Sequence, residues 1–382
     1  METKGEKIYL SPPHLGELEK KYIDDAFRDN WISSVGPNLE AFESEINKYT
    51  GLKGALALST GTAAIHLALK LCGVKIGDTV LCSSFTFAAS ANPIIYEKAI
   101  PVFIDSEPVT WNMCPKSLER ACVTLKARGI VPKAAIIVSL YGQSADMDPL
   151  LEICDRFQIP VIEDAAESLG ATYKNRRSGT FGRFGIYSFN GNKIITSSGG
   201  GALVSDDTDA IAKARFWSTQ SRDAALHYQH SELGFNYRMS NILAGVGLGQ
   251  LKILGDRVAA RRRVFERYQD GLMNVPGVTF MPECSSGFST RWLTVMCLDP
   301  KKVKMKPAEL VTFLASHNIE ARPAWKPMHL QPFFSEYEYF SKESVGDFSA
   351  KLFSEGVCLP SGSSLTPPQQ DRVIALIRKA LL

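Results

Sequence analysis

Between residues 55 and 205, short aliphatic and β-branched runs alternate with stretches of helical periodicity, and this alternation constrains the fold more than any other feature. The runs are Ala55–Leu58, Thr79–Cys82, Pro101–Ile104, Ala134–Ser139, Pro160–Glu163, Gly185–Ser188 and Ala202–Ser205. Helical patterns follow the first, fourth and fifth runs most clearly, with Thr62–Leu71 and Pro149–Phe157 the best formed. The spacing predicts an α/β domain whose mostly parallel sheet is covered on both faces. One connection breaks the rule. Only 13 residues, rich in Gly and Asn, join Ser188 to Ala202. That is short for a right-handed helical crossover, so one strand there is expected to run antiparallel. The expectation is a seven-stranded mixed sheet with function-bearing loops.

Asn241–Leu254 and Arg257–Leu272 read as helices. After Pro276 the pattern changes to short strands (Gly277–Phe280, Trp292–Leu298) and helices (Pro307–His317, Ser344–Leu352, Gln369–Leu381). The predicted division is a large α/β domain with an N-terminal arm over 1–255 and a smaller α+β domain over 256–382. Charge narrows the partners. Against 43 basic residues stand 40 acidic ones, so no overall field demands a nucleic acid or an acidic membrane. No run approaches the roughly 18 apolar residues of a membrane span. Met1–Lys7 lacks the apolar core of a signal peptide. The eight cysteines (Cys72, Cys82, Cys114, Cys122, Cys154, Cys284, Cys297 and Cys358) form no CxxC pair and no metal-ligand spacing. They read as reduced thiols of a cytoplasmic protein without a metal site.

Three segments can carry chemistry. Ser59-Thr60-Gly61-Thr62-Ala63-Ala64 follows a strand and opens a helix. Small hydroxyl residues and Gly there suit either a phosphate at free N–H groups or an ordinary N-cap. The segment is neither a P-loop nor a dinucleotide fingerprint. Val161-Ile162-Glu163-Asp164-Ala165-Ala166-Glu167 puts an acid pair at a strand's C-terminal end, where open α/β sheets bind ligands. A carboxylate there can hold a cationic ring nitrogen, bind magnesium, or cap the next helix. Ser188-Phe189-Asn190-Gly191-Asn192-Lys193, followed by Gly199-Gly200-Gly201, holds one lysine in an otherwise uncharged stretch from Phe184 to Val204. It is either a solvated surface charge or a desolvated, nucleophilic amine. A phosphate cradle, a strand-end acid and such an amine together suggest pyridoxal phosphate. His66, on the helix after the cradle, reads as structural.

These segments, with Trp31-Ile32-Ser33, Gly36-Pro37, Ser84-Phe85-Thr86-Phe87, Ala91-Asn92, Leu140-Tyr141-Gly142-Gln143, Gly179-Thr180-Phe181-Gly182 and Gly234–Ser240, recur in order in one family. Along nearly its whole length the chain resembles the DegT/DnrJ/EryC1/StrS sugar aminotransferases, pyridoxal-phosphate enzymes of fold type I. The resemblance implies that Lys193 is the Schiff-base lysine and proton shuttle. It implies that Asp164 pairs with the pyridinium nitrogen, Phe87 stacks on the ring, and Glu167 lies near the ring or its hydroxyl. Thr60, Gly61, Thr62 and Ser188 would take the phosphate. Asn236 would reach it from a second subunit, and Arg238 would meet substrate, so the active sites would be shared in a homodimer. Position 167 is Glu where many members have Gln, and position 139 is Ser where many have His. Lys193 favours transamination over the dehydration run by relatives with His there.

In the C-terminal region, Arg322–Pro332 and Cys358–Ser363 resemble enzymes that aminate C4 of nucleotide-linked 4-keto-6-deoxy sugars, in particular those of the UDP-N-acetylbacillosamine pathway. The resemblance implies glutamate as amino donor. GDP-perosamine synthases, acting on GDP-4-keto-6-deoxymannose, share much of the pattern. Trp325, Lys326 and His329 offer an aromatic face, a cation and a polar group to an anionic sugar nucleotide. The alternative for these three is a Pro-braced loop with Trp325 in the core. For the whole chain, the reading from another class is a non-catalytic, cofactor-binding regulator.

Overall fold

Each of the seven aliphatic runs becomes a strand of one sheet in the computed structural model, which describes residues 5–341 and 346–382. The sheet order is Gly54–Leu58, Gly201–Ser205, Phe184–Ser188, Val161–Asp164, Ala134–Val138, Thr79–Ser83, Ile100–Ile104 and Tyr339–Phe340. Gly201–Ser205 runs antiparallel to both its neighbours, and every other pairing is parallel. The short connection after Ser188 therefore does what its length requires: it returns as a loop.

Alternation sorts the strand side chains onto two faces. Val80, Cys82, Ala134, Ile136 and Val138 join Leu67 and Ala68 of the helix Gly61–Leu71 in one core. Leu81, Ala135 and Ile137 join the other face, under the helices Pro115–Ala127 and Met147–Arg156 through Leu118, Leu125 and Leu150. Double coverage is why these strands read as continuous apolar runs.

A second, antiparallel sheet comprises Val278–Phe280, Thr294–Leu298, Gly356–Leu359 and Arg322–Pro323. It packs with the helices Leu254–Leu272, Pro307–Ser316 and Pro367–Leu381 around a third core. Ile8 of the N-terminal arm is buried in that core and bridges Ile319. The expected boundary at 255/256 falls at the start of Leu254–Leu272, directly after the helix Asn241–Lys252.

Three expectations change. The large sheet has eight strands, because Tyr339–Phe340 from the C-terminal half pairs with Phe103–Ile104. A two-residue strand is too short to leave a periodic pattern. No helix follows the fifth strand; Thr172–Tyr173 and Arg176–Arg177 form a hairpin instead. Lys174, Asn175 and Gly179 all have positive φ, which a helix does not allow. The helix expected over 344–352 runs Phe348–Glu355, capped by Asp347, and positions 344 and 345 lie outside the described residues. Among the described residues no helix is long and apolar enough to cross a membrane. All eight cysteines are free thiols.

Candidate active site

The C-terminal ends of the parallel strands deliver the three segments to one cavity of about 500 Å3. Thr60 caps the helix Gly61–Leu71 from an extended backbone, its hydroxyl accepting from Ala63 N at 3.0 Å. The capping alternative is thus correct for Thr60, and it leaves the phosphate reading intact. The N–H groups of Gly61 and Thr62 begin the helix and have no intrahelical acceptor, and both residues line the cavity. Close packing sets this edge. A Cβ at Gly201 would stand 2.4 Å from Gly61 N, and one at Gly61 would meet Ser188 Cβ at 3.3 Å.

Strand alternation separates the acid pair. Glu163 turns away from the cavity and accepts from Ser178 Oγ, Gly179 N and Phe181 N, fixing the loop that follows the hairpin. Asp164 turns into the cavity wall. Its Oδ2 accepts from Ser90 Oγ at 2.6 Å and its Oδ1 from Ala166 N at 3.1 Å. Neighbouring strand residues on opposite faces do not act on one ligand as a pair. Burial raises the Asp164 pKa, against the Ser90 and Ala166 hydrogen bonds and the Lys193 charge. An uncompensated buried carboxylate is costly, and a cationic ring nitrogen would supply what the site lacks.

Lys193 sits in the loop between Ser188 and Gly201 and projects into the same cavity. Its side chain is only 11% exposed. Nζ lies 3.4 Å from Glu167 Oε1 and 4.5 Å from the centre of the Trp292 ring. Glu167 Oε2 accepts from Tyr141 N at 3.1 Å. Burial pushes the Glu167 pKa up to about 7, opposed first by the Lys193 charge. The desolvated-amine reading of Lys193 therefore holds over the surface-charge one.

Glu167 makes apoprotein stability depend on pH. Below its unfolded value near 4.5 the carboxyl is protonated in both states. Between there and about 7 the folded chain keeps a proton that the unfolded chain has lost, so stability falls as pH rises. The shift corresponds to about 3 kcal/mol at most. Glu167→Gln is expected to flatten this part of the profile, read as urea midpoints of the apoprotein at about pH 5 and about pH 8. Equal losses in both proteins would contradict the assignment.

Phe87, 59% exposed, and Trp325 also line the cavity, their rings 5.5 Å apart. Trp325 packs against Tyr141 as well, and its backbone N–H donates to Tyr141 Oη at 3.0 Å. Four expected residues stand outside the cavity wall: Asn236, Arg238, Lys326 and His329. Arg238 is held by Glu43 and by Ala57 O, with its side chain 8% exposed. His329 bonds Ser84 Oγ through Nδ1 at 2.6 Å and Asp347 through Nε2 at 2.8 Å, and its ring stacks on Tyr339 at 3.6 Å. With both nitrogens engaged within the chain, His329 anchors its loop. Arg238 is paired with Glu43 inside the chain. His66 is structural, bonded to Tyr237 Oη and Glu97.

The sequence reading missed Ser90, Trp292 and the arm residues Tyr9 and Ser11, all on the cavity wall. The positive φ of Tyr141, 52°, also went unseen, although the residue lies in a quoted segment.

The model of the DegT/DnrJ/EryC1/StrS aminotransferases matches residues 13–378. The chain belongs to this family. It is 57% identical to EpsN of Bacillus subtilis, whose name assigns it to the pyridoxal phosphate-dependent aminotransferases, over 97% of this chain and 95% of that one. It is 37% identical to a GDP-perosamine synthase of Caulobacter vibrioides, over 98% and 99% of the two chains. A solved DegT/DnrJ/EryC1/StrS aminotransferase from Brucella abortus superposes with a TM-score of 0.85 at 30% identity, covering 94% of each chain. The protein is a pyridoxal phosphate-dependent sugar aminotransferase of the fold type I architecture. The regulator reading gives way to the enzyme. The cavity suits the cofactor, with open N–H groups for a phosphate, a buried carboxylate for a cationic ring nitrogen, and a sequestered amine for an aldehyde.

Proposed function

We propose that this enzyme moves the amino group of glutamate to C4 of a nucleotide-linked 4-keto-6-deoxy sugar, UDP-4-keto-6-deoxy-N-acetylglucosamine. The observation that carries the reading is the sequestered Lys193 amine, 3.4 Å from Glu167, in a cavity that also holds Asp164 and the open end of the helix Gly61–Leu71. When bound, pyridoxal phosphate supplies an electron sink that acidifies the carbon bearing the amino group. Lys193 Nζ carries the proton to and from that carbon. Glu167 accepts or returns a proton at Oε1, and its pKa of about 7 suits exchange near neutrality. Asp164 holds the ring nitrogen in its charged state. Thr60, Gly61, Thr62 and Ser188 hold the phosphate, and Phe87 covers the ring.

The choice of sugar nucleotide rests on the likeness of Arg322–Pro332, where Trp325 borders the cavity and Lys326 follows it. Lys326 is half-buried with no ion pair among the described residues, which suits a diphosphate. The second reading, a GDP-linked 4-keto-6-deoxymannose, is favoured by the GDP-perosamine synthase relative. The test is product analysis with glutamate and both keto sugars. The expected result is a C4-aminated UDP sugar formed with the higher kcat/KM. Preference for the GDP sugar would install the second reading.

A homodimer with shared sites and a cytoplasmic location belong to this proposal. Support for sharing comes from Asn236, whose exposed side chain makes no hydrogen bond among the described residues, and from the exposed Leu226, Tyr228 and Leu233 just before it. Mixing inactive Lys193→Ala chains with inactive Asn236→Ala chains is expected to restore part of the activity, since one composite site per hybrid stays intact. No recovery in verified hybrids would put both residues in one chain's own site. Arg238 is left unchanged because of its pairing with Glu43.

A further inference from the structure

Lys193 lies in a loop of little regular structure, so something other than a helix or strand must fix its position. Its N–H donates to Asn190 O at 3.0 Å. The carbonyl of Asn192 belongs to the same peptide plane and accepts two further hydrogen bonds. One comes from Ser11 Oγ at 2.6 Å, the other from Trp292 Nε1 at 2.9 Å. Both polar ends of the peptide that leads into Lys193 are therefore tied. The two donors are remote in sequence, one on the N-terminal arm and one just before the strand Thr294–Leu298.

Arg261, on the helix Leu254–Leu272, joins those two donors. Arg261 is 1% exposed, and its guanidinium has no carboxylate partner among the described residues. Nη1 donates to Trp292 O at 2.7 Å and Nη2 to Ser11 Oγ at 2.9 Å, while Nε has no partner. Burying an unpaired charge is unfavourable, and its placement calls for an effect. A guanidinium can only donate. Facing Arg261, the Ser11 oxygen must accept, which directs its single proton to Asn192 O. The same residue holds the Trp292 backbone, and so the indole that reaches Asn192.

We infer that Ser11, Arg261 and Trp292 form a positioning unit that fixes the Asn192–Lys193 peptide and so aims the Lys193 amine at the cofactor's aldehyde. This rests on the reading of Lys193 as the cofactor lysine. The step served is condensation: Nζ adds to the aldehyde carbon, a carbon–nitrogen double bond forms, and the aldehyde oxygen leaves as water. The unit also makes that step depend on docking of the N-terminal arm and the C-terminal sheet.

The test uses the apoenzyme and two ligands. Capture of pyridoxal phosphate is followed by stopped-flow absorbance. Equilibrium binding of pyridoxamine phosphate, which has no aldehyde, reports the rest of the site. Ser11→Ala combined with Trp292→Phe, which keeps an aromatic ring at the cavity wall, is expected to slow capture at least about tenfold and to weaken pyridoxamine phosphate binding by a much smaller factor. Arg261→Lys, which keeps donors, should capture faster than Arg261→Met. Should Arg261→Met not fold, the Ser11 and Trp292 variants decide alone. Capture at the parent rate in the double variant overturns the proposal. So does an equal loss of capture and pyridoxamine phosphate affinity, which would mean general disorder. Lys193→Ala should bind pyridoxal phosphate without the absorbance change that marks the carbon–nitrogen double bond, and so show no covalent capture. Capture persisting there overturns the lysine assignment itself, an outcome distinct from failure of the clamp alone.

Discussion

Lys193→Ala is expected to lower turnover at least about a thousandfold, through loss of the group that carries the proton at the reacting carbon. The fold should survive. The side chain is in a loop, and its partner Glu167, with a pKa near 7, can take up a proton when the ammonium is gone. No unpaired buried charge is then left behind, which is the usual route to a large stability loss. Cofactor binding should persist without a covalent bond, because the helix start at Gly61 and Thr62 and the strand end at Ser188 are untouched. The measurements are steady-state turnover, the absorbance of bound cofactor, and the apoprotein melting temperature. Turnover near the parent rate would remove Lys193 from the chemistry. A melting temperature lowered by tens of degrees would make the lysine structural instead.

What the sequence made legible follows from range. Local patterns reported the seven strands and the antiparallel return, because continuous apolar runs and a short Gly-rich connection act within a few residues. The uncharged stretch around Lys193 opened the desolvated-amine alternative for the same reason. Local capping chemistry offered Thr60 or Thr62 as the cap but could not say whether Glu163 or Asp164 enters the cavity. That depends on which face of the sheet the neighbouring strands leave open, and adjacent residues point to opposite faces. The contacts of Ser11, Ser90 and Trp292 were invisible, since each partner lies 74 to 181 positions away. The anchoring of His329 was equally out of reach, since a histidine beside Trp325 and Lys326 looks available for a ligand. Only the tertiary fold brings Ser84 and Asp347 to its two nitrogens.

Asp164→Asn should separate catalysis from stability. Asparagine has nearly the same shape and can keep one oxygen toward Ala166 N, while Ser90 can turn its hydroxyl to suit the amide. What it cannot do is stabilise a positive ring nitrogen. Preorganised charges of this kind contribute about 3 kcal/mol or more to the transition state, so proton transfer should slow by about a hundredfold or more and cofactor affinity should fall. The apoprotein should respond in the opposite sense. Burial raises the Asp164 pKa above its unfolded value, so the folded carboxyl holds its proton more tightly than the unfolded one. Its contribution to stability therefore declines as pH rises through that window, and asparagine removes the decline. At neutral pH the apo variant should be at least as resistant to urea as the parent, while the holoenzyme is slower and loses cofactor more readily. A variant that loses apo stability and activity together would make Asp164 a cap for the turn at Ala166. A variant with unchanged kinetics and unchanged cofactor affinity would take the pyridinium away from Asp164 altogether.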